Sequence, residues 1–243
     1  MSKLSVVGIG PGDRENMTLR ADRALAECDL IVGYSVYVDL VRNWYPDKEF
    51  RSTPMTKETD RCRMALEAAK EGKSVCMVCS GDSGIYGMAG LCFELRGKET
   101  APEIEVIPGL TAACSGASLL GAPLTHDFAV ISLSDRLTSW ETIEKRLLLA
   151  AQADLSLAIY NPRSKSRPDS MKRACDILLR VLPADRLCGI AEKIGREGES
   201  WRLLTLEELK NADLNMFCTV FVGNESTMRL GDRMVTPRGY RNV

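Results

Sequence analysis

The sequence predicts an α/β protein of two domains, and three observations carry that prediction. Short apolar runs alternate with helical periodicity from the first residues onward, the pattern of layered folds with a mainly parallel sheet. At about 100 to 200 residues per domain, the 243 residues allow one large or two small domains, each able to bury its own core, and two is the expectation. Glycine-rich turns close several of the apolar runs, at the strand ends where open α/β sheets take their ligands.

The elements follow in order. Residues 4–8 open the series as a strand. A helix over 18–27 has Leu19, Ala21, Ala24, Leu25 and Cys28 near helical period, with Thr18 as N-cap. Residues 30–32 form the second strand. A polar helix over 57–71 turns Met64, Ala65, Ala68 and Ala69 inward and stops at Gly72, and a strand over 74–79 follows. Residues 83–96 read as helix, 103–107 as strand and 111–120 as a helix of small residues. Gly121-Ala122-Pro123 breaks the pattern, so the domains are expected at 1–122 and 123–243. The second half repeats the theme less regularly. It has strands at 129–133, 155–160, 187–192, 200–204 and 218–222 and helices at 141–152, 168–181 and 206–210. Its last three elements suggest antiparallel pairing. The tail from Arg233 is expected to be partly mobile.

Composition narrows the function. With 45% hydrophobic, 27% charged and 6% aromatic residues, disordered, fibrous and coiled-coil classes drop out. The 32 Lys and Arg against 33 Asp and Glu give a net charge of -1, which leaves no surplus for sequence-independent phosphate binding and argues against nucleic acid as the main partner. The N-terminal apolar run breaks at glycines after a few residues, and no run of about 18 apolar residues occurs, so neither a signal peptide nor a membrane span is expected and the chain reads as cytoplasmic. Nine scattered cysteines read as reduced, buried small hydrophobes. The Cys76-x-x-Cys79 pair lies in a strand with no second pair at zinc spacing, so no metal site is expected.

The glycine loops carry the chemistry. Gly8-Ile9-Gly10-Pro11-Gly12-Asp13 fails as a dinucleotide fingerprint, because Asp13 stands where the third glycine is required and Pro11 removes an N–H donor. A cationic or neutral ligand suits it better than a pyrophosphate. Gly72-Lys73-Ser74 is not a phosphate-binding loop, since Glu67 replaces the needed glycine and a strand follows the segment. Ser80-Gly81-Asp82-Ser83-Gly84-Ile85-Tyr86-Gly87 and Ile107-Pro108-Gly109-Leu110-Thr111-Ala112 also stand at strand ends. Each alone reads as a tight strand-to-helix turn; together they read as a backbone-lined pocket.

In this order and spacing, the three loops resemble the S-adenosylmethionine-dependent tetrapyrrole methyltransferases of cobalamin and sirohaem synthesis, over nearly the whole chain. Pro123-Leu124-Thr125-His126-Asp127-Phe128, Ser132-Leu133-Ser134-Asp135 and Tyr160-Asn161-Pro162-Arg163-Ser164-Lys165-Ser166-Arg167 more narrowly resemble the branch that methylates precorrin-3B or cobalt-factor III at carbon 17 and contracts the ring. The resemblance implies two α/β domains with the cofactor, S-adenosylmethionine, folded into a cleft between them, and a homodimer. It implies that Pro11, Ser80, Gly81, Asp82, Ile85, Thr111 and Ala112 lie along the cofactor, and that Asn161 and the stretch from Ala191 to Ile194 stand near its adenine and ribose. Sirohaem relatives carry an aspartate after the second strand where this chain has Tyr34, so no acid/base role is carried over from that branch.

Methyl transfer from a sulfonium needs alignment and a dry site rather than a covalent side-chain nucleophile. A single histidine and no Ser-His-Asp or Cys-His arrangement agree with that. Asp82 is expected to offer the cofactor a counter-charge or hydrogen bonds. Ring contraction, as the resemblance implies it, also needs a general base. His126 suits proton transfer near neutrality; its other readings are a cobalt ligand and a structural residue hydrogen-bonded to Asp127 or the backbone. Tyr34, Ser132 and Asp135 are lesser candidates, Asp135 also reading as an N-cap or turn residue. Arg163, Lys165 and Arg167 are candidates for gripping the carboxylate arms of a corrin-type tetrapyrrole, or else a solvated charged loop. The alternatives are a sibling enzyme acting at another corrin carbon, a related fold that methylates ribosomal RNA or a protein histidine derivative, and a non-catalytic cofactor- or tetrapyrrole-binding module.

Overall fold

A computed structural model describes residues 3–240. The chain divides into two compact units between Thr111 and Ala112. In the first, β1 (Lys3–Gly8), α1 (Leu19–Glu27), β2 (Leu30–Tyr34), α2 (Ser35–Arg42), β3 (Glu49–Thr53), α3 (Glu58–Lys70), β4 (Ser74–Cys79), α4 (Ala89–Arg96) and β5 (Glu103–Ile107) follow one another. The strands form one wholly parallel sheet in the order β3-β2-β4-β1-β5. The chain leaves β1 toward β2 on one side and leaves β4 toward β5 on the other, so β4 and β1 flank a topological switch point.

The central strands β1 and β4 are buried on both faces beyond their first residues, as strands covered by helices on both sides must be. Leu4, Val6, Val32 and Met77 pack with Cys62, Ala65 and Cys92 of α3 and α4 on one face. Val7, Ile31 and Val78 pack with Ala21, Leu25, Val38 and Val41 of α1 and α2 on the other. Cys76 belongs to the second core and Cys79 to the first, since residues three apart on a strand point to opposite faces. Burial pushes the Cys79 thiol up to about 12.

The second unit contains α5 (Ala112–Leu120), β6 (Gly121–Ala122), β7 (Phe128–Ser132), α6 (Trp140–Gln152), β8 (Ser156–Tyr160), α7 (Ser170–Leu178), β9 (Leu187–Glu192), β10 (Ser200–Thr205), α8 (Leu206–Leu209), β11 (Cys218–Val222), β12 (Met228–Leu230) and β13 (Arg233–Val235). Its main sheet has the order β10-β9-β11-β8-β7, with β7 and β8 parallel and the other pairs antiparallel, as the last elements suggested. One face packs on α6, α7 and α8, and the other on α5.

Three expectations change. The division falls at 111/112 instead of 122/123, because α5 buries Ala113, Ala117 and Leu120 against Ala158, Ala191 and Phe221 of the second sheet. The tail is not loose from Arg233: β13 pairs with β12 and β6, and Met234 is fully buried. Residues 241–243 lie outside the described residues. Finally, α4 begins at Ala89, because residues 83–88 are taken up by the turn that follows β4. Among the described residues no helix is long and apolar enough to cross a membrane.

Candidate functional site

The three glycine turns of the first unit leave adjacent strands, β4, β1 and β5, at their carboxyl ends. They are bonded to one another. Gly10 and Gly81 form a two-way bridge, Gly10 N donating to Gly81 O at 3.1 Å and Gly81 N to Gly10 O at 2.7 Å. Asp82 ties the second turn to the third. One carboxylate oxygen accepts from Gly84 N at 2.7 Å and Ile85 N at 3.0 Å, and the other from Gly109 N at 3.0 Å. Ser83, fully buried, donates its hydroxyl to Ile107 O at 2.9 Å.

These contacts bear on two expectations. The glycines were read as leaving bare backbone for a ligand, yet a Cβ on Gly109 would lie 2.2 Å from Gly81 O, and one on Gly8 2.6 Å from Gly109 N. At these two positions the missing side chain lets turn pack on turn. Asp82, expected to offer the ligand a counter-charge or hydrogen bonds, already accepts from three backbone N–H groups. Its carboxylate is a latch within the loop cluster. Asp13 likewise turns inward on its own loop, accepting from Asn16 N at 2.7 Å.

What the cluster offers outward is different. Ile85 and Tyr86 are 41% and 57% exposed, with Tyr86 at φ 54°. Ser80, Gly81 and Thr111 are half-buried and Pro11 is buried. No lysine or arginine occurs between Ser80 and Gly87 or between Ile107 and Ala112. The edge therefore presents apolar surface and peptide groups, with no cation to repel a positively charged donor that has an apolar body.

In the second unit, the parallel strands β7 and β8 end beside each other and bring several candidates together. Asn161, at φ 53°, donates its amide to Ser132 Oγ at 2.9 Å, and Ser134 N donates to the same hydroxyl at 3.2 Å. Arg167 stands 3.5 Å from the Asp135 carboxylate through Nη1, an ion pair without hydrogen-bond geometry, while its Nε donates to Ser164 Oγ at 3.2 Å. Arg163 pairs with Asp213 at 3.2 Å. The three expected carboxylate-gripping cations are thus not equal. Arg163 and Arg167 have partners, and Lys165 is exposed with none among the described residues.

The remaining candidates stand apart. His126 is exposed, two residues before β7, and makes no hydrogen bond among the described residues. It lies at the amino end of β7, roughly 20 Å along the strand from Ser132 at about 3.3 Å per residue, so it does not join the Ser132–Asn161 group. Ala191 is fully buried and Ile194 is 8% exposed, both packed on α5; neither presents its side chain to a ligand. Ala112 is half-buried at the start of α5. Tyr34 closes β2 at the head of α2, edge-on to Tyr37 with ring centroids 5.1 Å apart.

Two participants are not among the candidates the sequence puts forward, although Tyr160 heads one of its motifs. Tyr160, at the end of β8, accepts from Ala113 N at 2.6 Å and so satisfies one of the unpaired amides at the head of α5. Arg61 of α3 is buried beside the Tyr34 ring, 5.7 Å from its centroid. The only sequence signal for Arg61 was a charged residue on the inward side of its helix.

Residues 3–210 match the family described as Tetrapyrrole (Corrin/Porphyrin) Methylases. The cobalt-factor III methyltransferase of Priestia megaterium is 46% identical over 98% of this chain, which spans only 45% of that longer protein. The probable cobalt-factor III C(17)-methyltransferase of Salmonella typhimurium (strain LT2) is 45% identical over 98% of this chain and 99% of its own length. The crystal structure of the methyltransferase CobJ has the same fold, with a TM-score of 0.91 at 37% identity, covering 98% of this chain and 100% of CobJ. By the span of the family match and the identity to full-length relatives, this chain belongs to the tetrapyrrole (corrin/porphyrin) methylases.

Proposed function

We propose that this chain transfers a methyl group from S-adenosylmethionine to carbon 17 of a corrin precursor, cobalt-factor III or precorrin-3B, and contracts the macrocycle on the route to cobalamin. The observation that carries this is the 45% identity to a probable cobalt-factor III C(17)-methyltransferase over nearly the full length of both chains. A homodimer goes with the same reading.

S-adenosylmethionine supplies an electrophilic methyl on a cationic sulfur, and the protein's task is to align and desolvate the reacting pair. The turn cluster around Gly10, Gly81, Asp82 and Gly109 is rigidly cross-bonded, so it can hold the donor without reorganising. Ser80, Gly81, Ile85 and Thr111 are its surface toward the co-substrate, with Asp82 fixing their positions from within. Lys165 is the cation of the 161–167 loop free to meet a substrate carboxylate, while Arg163 and Arg167 would first have to exchange Asp213 and Asp135.

Contraction needs a proton acceptor. The Ser132 hydroxyl already accepts two hydrogen bonds and Asp135 is paired with Arg167, which leaves His126 and Tyr34. His126 is the stronger of the two because its imidazole is exposed, whereas the Tyr34 ring is packed against Tyr37 and Arg61. Replacing it by Asn should lower turnover on the order of a hundredfold and leave binding of S-adenosylhomocysteine unchanged. An unaffected H126N enzyme together with an inactive Y34F enzyme would move the role to Tyr34.

The function itself is tested with methyl-labelled co-substrate and each precursor, read by product mass and NMR. One methyl per macrocycle with a contracted ring supports the reading. A methyl without contraction points to a sibling enzyme, and retained ligand without product to a binding module.

A further inference from the structure

Arg61 is the only charged residue that is buried among the described residues, 4% exposed. Its guanidinium has neutral partners throughout. Nε donates to Thr53 Oγ1 at 3.0 Å, Nη2 to Pro54 O at 3.2 Å and Nη1 to Met88 Sδ at 3.9 Å, with the Tyr34 ring alongside. No carboxylate pairs with it among the described residues. The half-buried Arg167 differs in standing beside a carboxylate, that of Asp135. A buried charge surrounded only by dipoles is costly to keep. For a helix residue that Met or Leu could replace in packing, that cost calls for a counter-charge that arrives later.

The position says where it would arrive. Tyr34 ends β2, Thr53 ends β3, and Met88 stands just before α4 in the turn that follows β4. Arg61 therefore lies beneath the carboxyl edge of the first sheet, the edge at which α/β sheets receive ligands.

We propose that Arg61 is an anion-binding residue, whose unpaired charge draws and holds a carboxylate arm of the macrocycle at Tyr34. This rests on the proposed function for the identity of the anion, a carboxylated tetrapyrrole.

The probe is uroporphyrin III, a stable polycarboxylated macrocycle, titrated by absorbance into the full-length protein, with S-adenosylhomocysteine binding followed in parallel by calorimetry. Arg61→Met removes charge and donors. Arg61→Gln keeps a donor for Thr53 or Pro54 and removes only the charge. Both variants should bind uroporphyrin roughly tenfold more weakly, the scale of one lost charge pair in a partly screened site, and should keep S-adenosylhomocysteine binding within about twofold. Arg61→Lys should recover most of the macrocycle affinity. Unchanged uroporphyrin binding in a folded neutral variant would overturn the proposal. So would a parallel loss of both ligands, or failure of both neutral variants to fold, since Arg61 would then be a structural clamp. If the unaltered protein does not bind S-adenosylhomocysteine, the proposed function fails instead, while a charge-dependent affinity for uroporphyrin would still stand as evidence for Arg61.

Discussion

At Asp82, one carboxylate takes three backbone N–H groups from two different turns, so its chemistry is decided by geometry and not by its charge alone. Replacing it by Asn keeps the shape but turns one acceptor oxygen into a donor, facing either Gly109 N or the Gly84 and Ile85 amides. A donor left facing a donor at this half-buried position costs about 1 kcal/mol, the low end of the range for a buried one. Asp82→Asn should be destabilised by that amount in urea titration and should bind S-adenosylhomocysteine more weakly. Gly109→Ala should cost about 3 kcal/mol, because its Cβ would meet backbone that cannot give way, 2.2 Å from Gly81 O. Both residues were legible in the sequence as members of strand-end loops. That Gly109 serves Gly81 and Gly8 was not, because contacts between loops some thirty and a hundred residues apart leave no local pattern. The same holds for Arg163 and Asp213, whose pairing no spacing announces. Arg61 was illegible for another reason: charge on the inward side of a helix looks like imperfect amphipathicity until its partners are seen.

Among the elements, α5 shows how a compositional cue becomes packing. Its run of small residues was readable, and the structure supplies the reason: Gly116 lets the helix close onto β11, where a Cβ would come within 2.9 Å of the Phe221 ring. Helix propensity favours Ala over Gly by about 1 kcal/mol, whereas overpacking a full core costs about 1 to 3 kcal/mol. Phe221 is fully buried, so packing wins, and Gly116→Ala should be about 1 kcal/mol less stable. Gly90 in α4 is the control. Nothing lies within 4 Å of its Cβ position, so Gly90→Ala should gain about 0.5 kcal/mol; opposite signs in paired urea titrations check both. Strands β4, β9 and β11 were predicted with their observed bounds because each is a mostly apolar run of five or six residues. The stretch holding α2 and β3 was missed. α2 has no side-chain cap hydrogen bond, and β3 is an edge strand of mostly half-exposed polar residues with little alternation. β12, three exposed residues on a small sheet, gave even less to read.

For the whole molecule, stability should form a dome in pH with two limbs of different origin. On the acid side, Lys3 and then Arg20 hold the Glu105 carboxyl down to about 2 from an ordinary 4.5, and Tyr45, then Arg14, lower Asp22. A group depressed on folding stabilises above its unfolded value, and that contribution is lost as pH falls from about 4.5 toward 2. On the alkaline side the sign reverses. Burial raises the thiols of Cys79 and Cys175 from 9.0 to about 12. Their neutral forms stabilise the fold below pH 9, and that contribution is lost as pH rises from there toward 12. Melting temperature measured across this range should therefore plateau in between. Glu105→Gln should flatten the acid limb and leave the alkaline one unchanged. The thiols give an independent check on the same burial. All nine cysteines are free, and Cys114 alone is exposed. A water-soluble disulfide reagent at neutral pH should label Cys114 within the mixing time of the assay, and the other eight only as the protein unfolds. Rapid labelling of several thiols in the native protein would mean that the cores holding them, two on the first sheet and one on the second, open far more readily than their packing implies, and the alkaline limb of the dome would then have to be attributed elsewhere.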